Sequence, residues 1–262
     1  MDLQIKDKKA LVSGSSQGIG FAIAKTLAAE GAQLIINGRS EAKLVAAKEK
    51  ILLEYPKAQV EYISADLSTS KGCDQLTAER PHIDILVNAL GIFEPKDFMD
   101  IPDEDWERFF NVNVLSGVRL SRAYLPYMRE KNWGRIIFIS SESAIQIPQE
   151  MIHYGTTKTA QLAVSRGIAE TCAGTGITVN AVLPGPTRSE GVVEFVDQVS
   201  GGQEFEAFEK EFFQSMRPSS LIKRFADTQE VANMVTYLCS PLASATTGAA
   251  VRVDGGVVKS CV

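Results

Sequence analysis

The chain has 262 residues, of which 45% are hydrophobic and 23% charged, and its formal net charge is −5. Those proportions are ordinary for a soluble globular protein with one large α/β domain or two small ones, and the absence of a basic block argues against a nucleic-acid binder. Four scattered cysteines (Cys73, Cys172, Cys239, Cys261) and two histidines suggest neither a disulfide framework nor a zinc site, so reduced thiols in a cytoplasmic protein are expected. The opening residues Met1 to Lys6 are charged, short and followed at once by a strand pattern, unlike a signal peptide, and no apolar run reaches membrane-spanning length.

In chain order, strand patterns are predicted at 9–13, 33–37, 59–64, 83–88, 135–140, 178–183 and 249–253. Most are unbroken apolar runs such as Ile136-Ile137-Phe138-Ile139, as expected for strands covered on both faces. Amphipathic helical patterns lie between them at 20–30, 41–54, 103–129, 152–171 and 228–238, with Ser40 and Asp103 as candidate N-caps. Strand–helix alternation implies one α/β domain over residues 1–262, a doubly wound parallel sheet with helices on both faces. The stretch 185–220 is too long for an ordinary connection and reads as a substrate lid or binding loop. Within it, 203–216 has helical spacing, with Phe205, Phe208 and Phe212 forming a stripe that either packs the loop on the body or closes over a ligand.

Three local motifs carry chemistry. Ser13-Gly14-Ser15-Ser16-Gln17-Gly18-Ile19-Gly20 links the first strand to the first helix, where glycines let backbone N–H groups approach a pyrophosphate at the positive end of the helix. The second strand ends in Asn37-Gly38-Arg39-Ser40. With no acid there to hold ribose hydroxyls, Arg39 and Ser40 favour a 2′-phosphate, hence NADP over NAD, with NAD still possible. Tyr154 and Lys158 are four residues apart on one helical face, with Ser141 upstream. They supply a proton donor, a cation that favours its phenolate, and a hydroxyl to hold a carbonyl oxygen.

Together these residues resemble the short-chain dehydrogenase/reductase family over essentially the whole chain. The resemblance rests on the glycine loop 13–20, Asp66-Leu67, Asn88-Ala89-Leu90-Gly91, Asn113, Ser141, Tyr154/Lys158, Pro184-Gly185-Pro186-Thr187 and Asp254-Gly255-Gly256. It implies a Rossmann-type, seven-stranded parallel sheet and a homodimer or homotetramer. It also implies that Asp66 and Leu67 meet adenine, that Asn88, Ala89 and Gly91 line the cofactor, and that Thr187 after Pro184 and Gly185 holds the carboxamide. Asn113 is then the asparagine of a water-mediated proton relay to Lys158. Three departures stand out. Ala89 replaces an asparagine, Ser13 replaces a threonine, and the segment between Asp66 and Asp84 is short, so its helix should be reduced.

The expected activity is metal-free, reversible interconversion of a ketone or aldehyde and an alcohol. Tyr154 is the acid/base, Ser141 holds the substrate oxygen, and Lys158 binds the nicotinamide ribose. A non-catalytic cofactor-binding sensor or scaffold is the competing reading, supported by Ala89 alone. A methyltransferase on the same type of sheet would leave Tyr154 and Lys158 unexplained. For the substrate, Glu142, Ser143, Gln146, His153 and Arg188 offer a polar pocket, whereas Phe205, Phe208, Phe212, Phe213 and Met216 offer an apolar lid. Glu142 and His153 read more readily as structural residues.

Overall fold

The computed structural model describes residues 1–199 and 204–261. Its strands are β1 (Lys9–Val12), β2 (Gln33–Gly38), β3 (Val60–Ser64), β4 (Ile85–Asn88), β5 (Gly134–Ile139), β6 (Ile177–Pro184), β7 (Thr187–Arg188), β8 (Ala226–Asp227) and β9 (Ala250–Val253). Its α-helices are α1 (Gly18–Ala29), α2 (Glu41–Glu54), α3 (Ser70–Glu79), α4 (Asp103–Phe110), α5 (Ser116–Glu130), α6 (Ile152–Thr171), α7 (Glu190–Val199), α8 (Phe205–Ser215) and α9 (Thr228–Leu238). Seven strands form one parallel sheet in the order β3-β2-β1-β4-β5-β6-β9. All seven predicted strands are present, displaced by two residues at most, and the small β7–β8 pair was not foreseen.

Side chains of successive strand residues leave on opposite faces. Ala10 and Val12 therefore join Leu34, Ile36 and the apolar faces of α1, α2 and α9 in one core layer. Leu11 and Ile35 join Leu86, Phe138 and residues of α3 and α5 in the other. Both layers are buried, which is why the strands read as continuous apolar runs. Each fully buried Leu or Ile contributes roughly 1.5–3 kcal/mol to that sandwich.

Two expectations about the helices are corrected. The predicted helix 103–129 is not continuous. A five-residue π-helical stretch, Asn111–Leu115, separates α4 from α5 and carries Asn113. An inserted residue of this kind re-aims the side chains around it. Asp103 is not the N-cap. Pro102 occupies that position, and Asp103, Glu104 and Asp105 fill the first turn, where negative charge suits the helix dipole. Ser40 does cap α2, its Oγ accepting from the Lys43 N–H at 3.4 Å. A ten-residue α3 fits the short segment after Asp66. Of the predicted helix 203–216, Gln203 lies outside the described residues and the rest corresponds to α8.

Between β1 and β4 the winding of the sheet reverses. The chain leaves these neighbouring strands towards opposite sides, so a crevice opens at their carboxyl ends. The site is there.

Candidate active site

The loop from β1 into α1 forms one wall of the crevice. Gly14 has φ +61°, and a Cβ there would come within 2.9 Å of the Leu90 Cα. Only glycine allows the β1 and β4 loops to approach so closely. At Gly20 a Cβ would fall on the Gly14 carbonyl oxygen, so the first turn of α1 lies directly on its own entry loop. Gly20→Ala is expected to cost about 1–3 kcal/mol in chemical denaturation, because backbone must move to admit the methyl. Ser13 ties the two loops together, its Oγ accepting from the Ala89 and Leu90 N–H groups at 3.0 and 3.1 Å. This hydroxyl supplies a polar brace at the strand end where Ala89 has no side-chain amide. Asn88 is buried behind it and donates to the Ser121 Oγ at 3.3 Å.

Across the crevice, β5 and α6 bring Ser141, Tyr154 and Lys158 together. These three line a cavity of about 540 Å³ together with Gly14, Gly18 and Thr187. Ser141 lies two residues past β5, caps the 3-10 turn that follows, and is buried; its Oγ donates to the Glu142 carboxylate and accepts from the Ser143 N–H at 3.1 Å. Lys158 is buried, with Nζ donating to the Ile139 carbonyl at 2.9 Å and lying 5.6 Å from the centre of the Tyr154 ring. Burial brings its pKa down to about 8. Burial also pushes the Tyr154 phenol above its ordinary value, and a hydrogen bond with Ser141 offsets this only in part. The expectation that the lysine charge would set the phenol's pKa is thus outweighed in the protein alone, where desolvation dominates.

Asn113 reaches the same centre from the π-helical stretch. Its side chain accepts from the Ile92 N–H at 2.8 Å and donates to the Ile92 carbonyl at 3.1 Å and the Thr157 Oγ1 at 3.0 Å. A Cβ on Gly91 would touch both the Lys158 Nζ at 3.3 Å and the Asn113 Oδ1 at 3.6 Å, so that glycine lets the loop pass between them. Thr187 is buried after β6, donating to the Gly185 carbonyl at 2.9 Å. Pro184, Gly185 and Thr187 all line the cavity.

The remaining predicted contacts lie outside this cavity, at the adjoining ends of β2 and β3. Gly38 pairs with Ser64 in the sheet, which sets Arg39 beside Ala65 and Asp66. Asp66 Oδ1 accepts from the Ser68 N–H and Oγ–H at 3.0 and 2.7 Å, so one carboxylate oxygen shapes the turn. The Leu67 side chain is buried in the core and offers only its backbone to a ligand. Arg39 is exposed. Lys43, which the sequence did not single out, places Nζ 3.2 Å from the Gln17 Oε1 and so adds a second cation beside the glycine loop.

The substrate side is formed by the 3-10 turn at Glu142–Ala144, by α7 and α8, and by the residues after them. Glu142 is 5% exposed, and Arg217 binds it through Nε at 3.3 Å while binding Glu150 through Nη1 at 3.1 Å. Phe208, Phe212 and Met216 face the cavity, while Phe205, Phe212 and Phe213 pack around Phe225 with ring centres 5.1–5.4 Å apart. The aromatic stripe therefore both anchors the segment and lines the crevice. Arg188 and Gln146, two candidates for the polar pocket, do not line the cavity; Arg188 lies over the Phe205 ring at 4.3 Å. His153 is fully buried against Phe109, at 4.1 Å between ring centres, as a core residue.

One contact joins the two walls directly. The Gly18 N–H, at the N-terminus of α1, donates to the Glu190 Oε2 at 2.8 Å. A carboxylate here occupies a donor that suits a pyrophosphate and repels its charge. Glu190→Gln is expected to tighten NADPH binding about fivefold, roughly 1 kcal/mol, in a fluorescence titration. Weaker binding would show that Glu190 supports the bound state instead.

A family profile described as enoyl-(acyl carrier protein) reductase matches residues 14–258. The chain is 49% identical over 262 residues to the uncharacterized oxidoreductase YvaG of Bacillus subtilis, covering 99% of each. It is 33% identical over 260 residues to the 3-oxoacyl-[acyl-carrier-protein] reductase of Aquifex aeolicus, covering 98% of this chain and 100% of the relative. The structure of L-sorbose reductase from Gluconobacter frateurii, complexed with NADPH and L-sorbose, matches with a TM-score of 0.93 at 30% identity, over 99% of this chain and 100% of that one. The chain belongs to the short-chain dehydrogenase/reductase family. It is accordingly an oxidoreductase acting on CH–OH and carbonyl groups.

Proposed function

We propose that the protein is an NADP(H)-dependent carbonyl reductase in which Tyr154 is the general acid/base. The observation that carries this reading is the convergence of Ser141, Tyr154 and Lys158 on one cavity whose opposite wall is the glycine loop. The residues there fit a dinucleotide. The first turn of α1 offers backbone donors to a pyrophosphate, and Gly14 lets the loop before α1 pack tightly on the loop after β4. Ala89 and Gly91 after β4, with Asn88 buried behind them, and Pro184, Gly185 and Thr187 at the end of β6 would flank the nicotinamide half. Arg39, Ser40 and Asp66 would meet the adenosine half. When bound, the nicotinamide supplies or takes the hydride.

The chain's own residues do the rest. Ser141 turns its hydroxyl proton from Glu142 to the substrate oxygen, holding that oxygen and stabilising its developing charge. Tyr154 delivers the proton to that oxygen in reduction and removes it in oxidation. Lys158 binds the nicotinamide ribose and steadies the tyrosinate once the proton has left. Asn113 keeps the 91–92 loop and Thr157 in register with the lysine, and we assign to it the relay of protons towards solvent. Within 185–220, of which 200–203 lie outside the described residues, α7 and α8 act as a lid that closes over the crevice and excludes water.

Preference for NADP over NAD rests on Arg39 and Lys43 beside the second strand, and the NADPH of the similar sorbose reductase supports it. NADPH consumption across a panel of ketones and aldehydes tests the reading. Cofactor binding with no turnover across the panel would instead favour a sensor.

A further inference from the structure

The carbonyl end of the cavity contains a charged group that the reaction does not require. Glu142 directly follows the serine assigned to the substrate oxygen, and it lines the same cavity among aromatic and aliphatic side chains. Its two oxygens are unequally used. Oε2 receives the Ser141 hydroxyl and, at 2.9 Å, the Ser143 N–H, with the Ser143 hydroxyl at 3.2 Å. Oε1 has a single long contact, to the Arg217 Nε at 3.3 Å. A carboxylate oxygen accepts two hydrogen bonds, so Oε1 has capacity for another donor.

The charge count limits what that donor belongs to. Arg217 is the only cation in contact with Glu142 among the described residues, and it is shared with Glu150, 26% exposed, so two carboxylates face one guanidinium. A substrate carboxylate placed beside this group would meet net negative charge with little water to screen it. An alkyl group placed there would cover Oε1 and leave its second lone pair without a partner. A hydroxyl satisfies both conditions, because it is neutral and donates.

We propose that Glu142 is a specificity-determining residue that selects a ketone bearing a hydroxyl on the carbon next to the carbonyl. This rests on the reductase reading above. The spacing follows from the bonding already present. Ser141 and Glu142 are consecutive and hydrogen-bonded to each other, so when Ser141 turns its one hydroxyl proton from Glu142 to a substrate carbonyl oxygen, the neighbouring carbon of that substrate lies at Glu142. Arg217 orients the carboxylate through one oxygen, while Ser143 fixes the other. The wall formed by Phe208, Phe212 and Met216 receives the remaining carbon chain.

The test compares matched ketones of equal size, hydroxyacetone against 2-butanone and the longer 1-hydroxy-2-ketones against their methyl-terminated counterparts, by kcat/KM with NADPH. The wild type is expected to favour the hydroxy ketone at least tenfold, and Glu142→Leu to bring the ratio to within about twofold, the loss of one charged hydrogen bond. Glu142→Gln, which keeps an acceptor oxygen, is expected to retain part of the preference, and NADPH titration confirms that each variant still binds cofactor. If Glu142 only positions Ser141, both ketones of a pair lose the same factor and the ratio does not move; that result overturns the proposal. A wild-type ratio near one also overturns it and leaves the reductase reading standing. No NADPH consumption with any pair removes the reductase reading itself, and this inference with it.

Discussion

Tyr154→Phe is expected to lower kcat by about 10²–10⁴-fold, while NADPH binding changes by less than about twofold. The substitution removes one hydroxyl and keeps the ring that packs beside Lys158, so the cavity retains its shape. The missing atom is the one that exchanges a proton with the substrate oxygen, so kcat and kcat/KM fall together, by about 3–5 kcal/mol in barrier. Single-turnover measurements of NADPH consumption, with a parallel fluorescence titration, separate lost chemistry from lost binding. Near-normal turnover would remove Tyr154 from its role. The direction of reaction adds a second readout. Burial raises the phenol's pKa, so the protonated form that reduction requires prevails at neutral pH, whereas oxidation requires the phenolate. The rate of alcohol oxidation should therefore rise through the alkaline range while the rate of reduction does not.

The parts of this site that could be read from the sequence are those whose physics is local. A strand buried on both faces shows itself as an apolar run, and β4 and β5 were visible for that reason. A tight loop before a helix needs glycine at fixed positions, and a tyrosine and a lysine four apart share a helical face wherever the helix goes. The π-helical stretch at Asn111–Leu115 was not visible, because one inserted residue hardly disturbs a helical hydrophobic period. Helix α3 leaves no apolar period in the sequence, because it buries only Gly72, Cys73 and Leu76. The contacts that shape the substrate end were also hidden. Glu142 meets Arg217 from 75 residues away, and Glu190 meets Gly18 from 172. Nothing in either residue's neighbourhood announces its partner. Arg188 illustrates the reverse error. Its place beside Thr187 suggested a pocket residue, but the start of α8 put Phe205 beneath it, and the guanidinium covers an aromatic ring instead.

Arg39→Ala is expected to weaken NADPH binding by about 10–100-fold and NADH binding by less than about twofold. The end of β2 carries no acid, and the Ser40 Oγ there accepts from the Lys43 N–H as the cap of α2 while its own proton stays available to a phosphate. Arg39 is exposed beside Asp66, and its guanidinium is free to make a charge-assisted hydrogen bond to a phosphate, worth roughly 1.5–3 kcal/mol. Lys43 reaches the glycine loop one turn into α2, so its removal should add a smaller loss that shrinks as salt rises. The double variant Arg39→Ala/Lys43→Ala then reports whether the two cations share one phosphate, since sites that share a partner do not add. Arg39→Asp carries the argument furthest. A carboxylate at the strand end repels a 2′-phosphate and accepts from ribose hydroxyls, so the preference should invert towards NADH. Measured as the ratio of kcat/KM for the two cofactors, equal and small effects on both would place the phosphate site elsewhere on the protein.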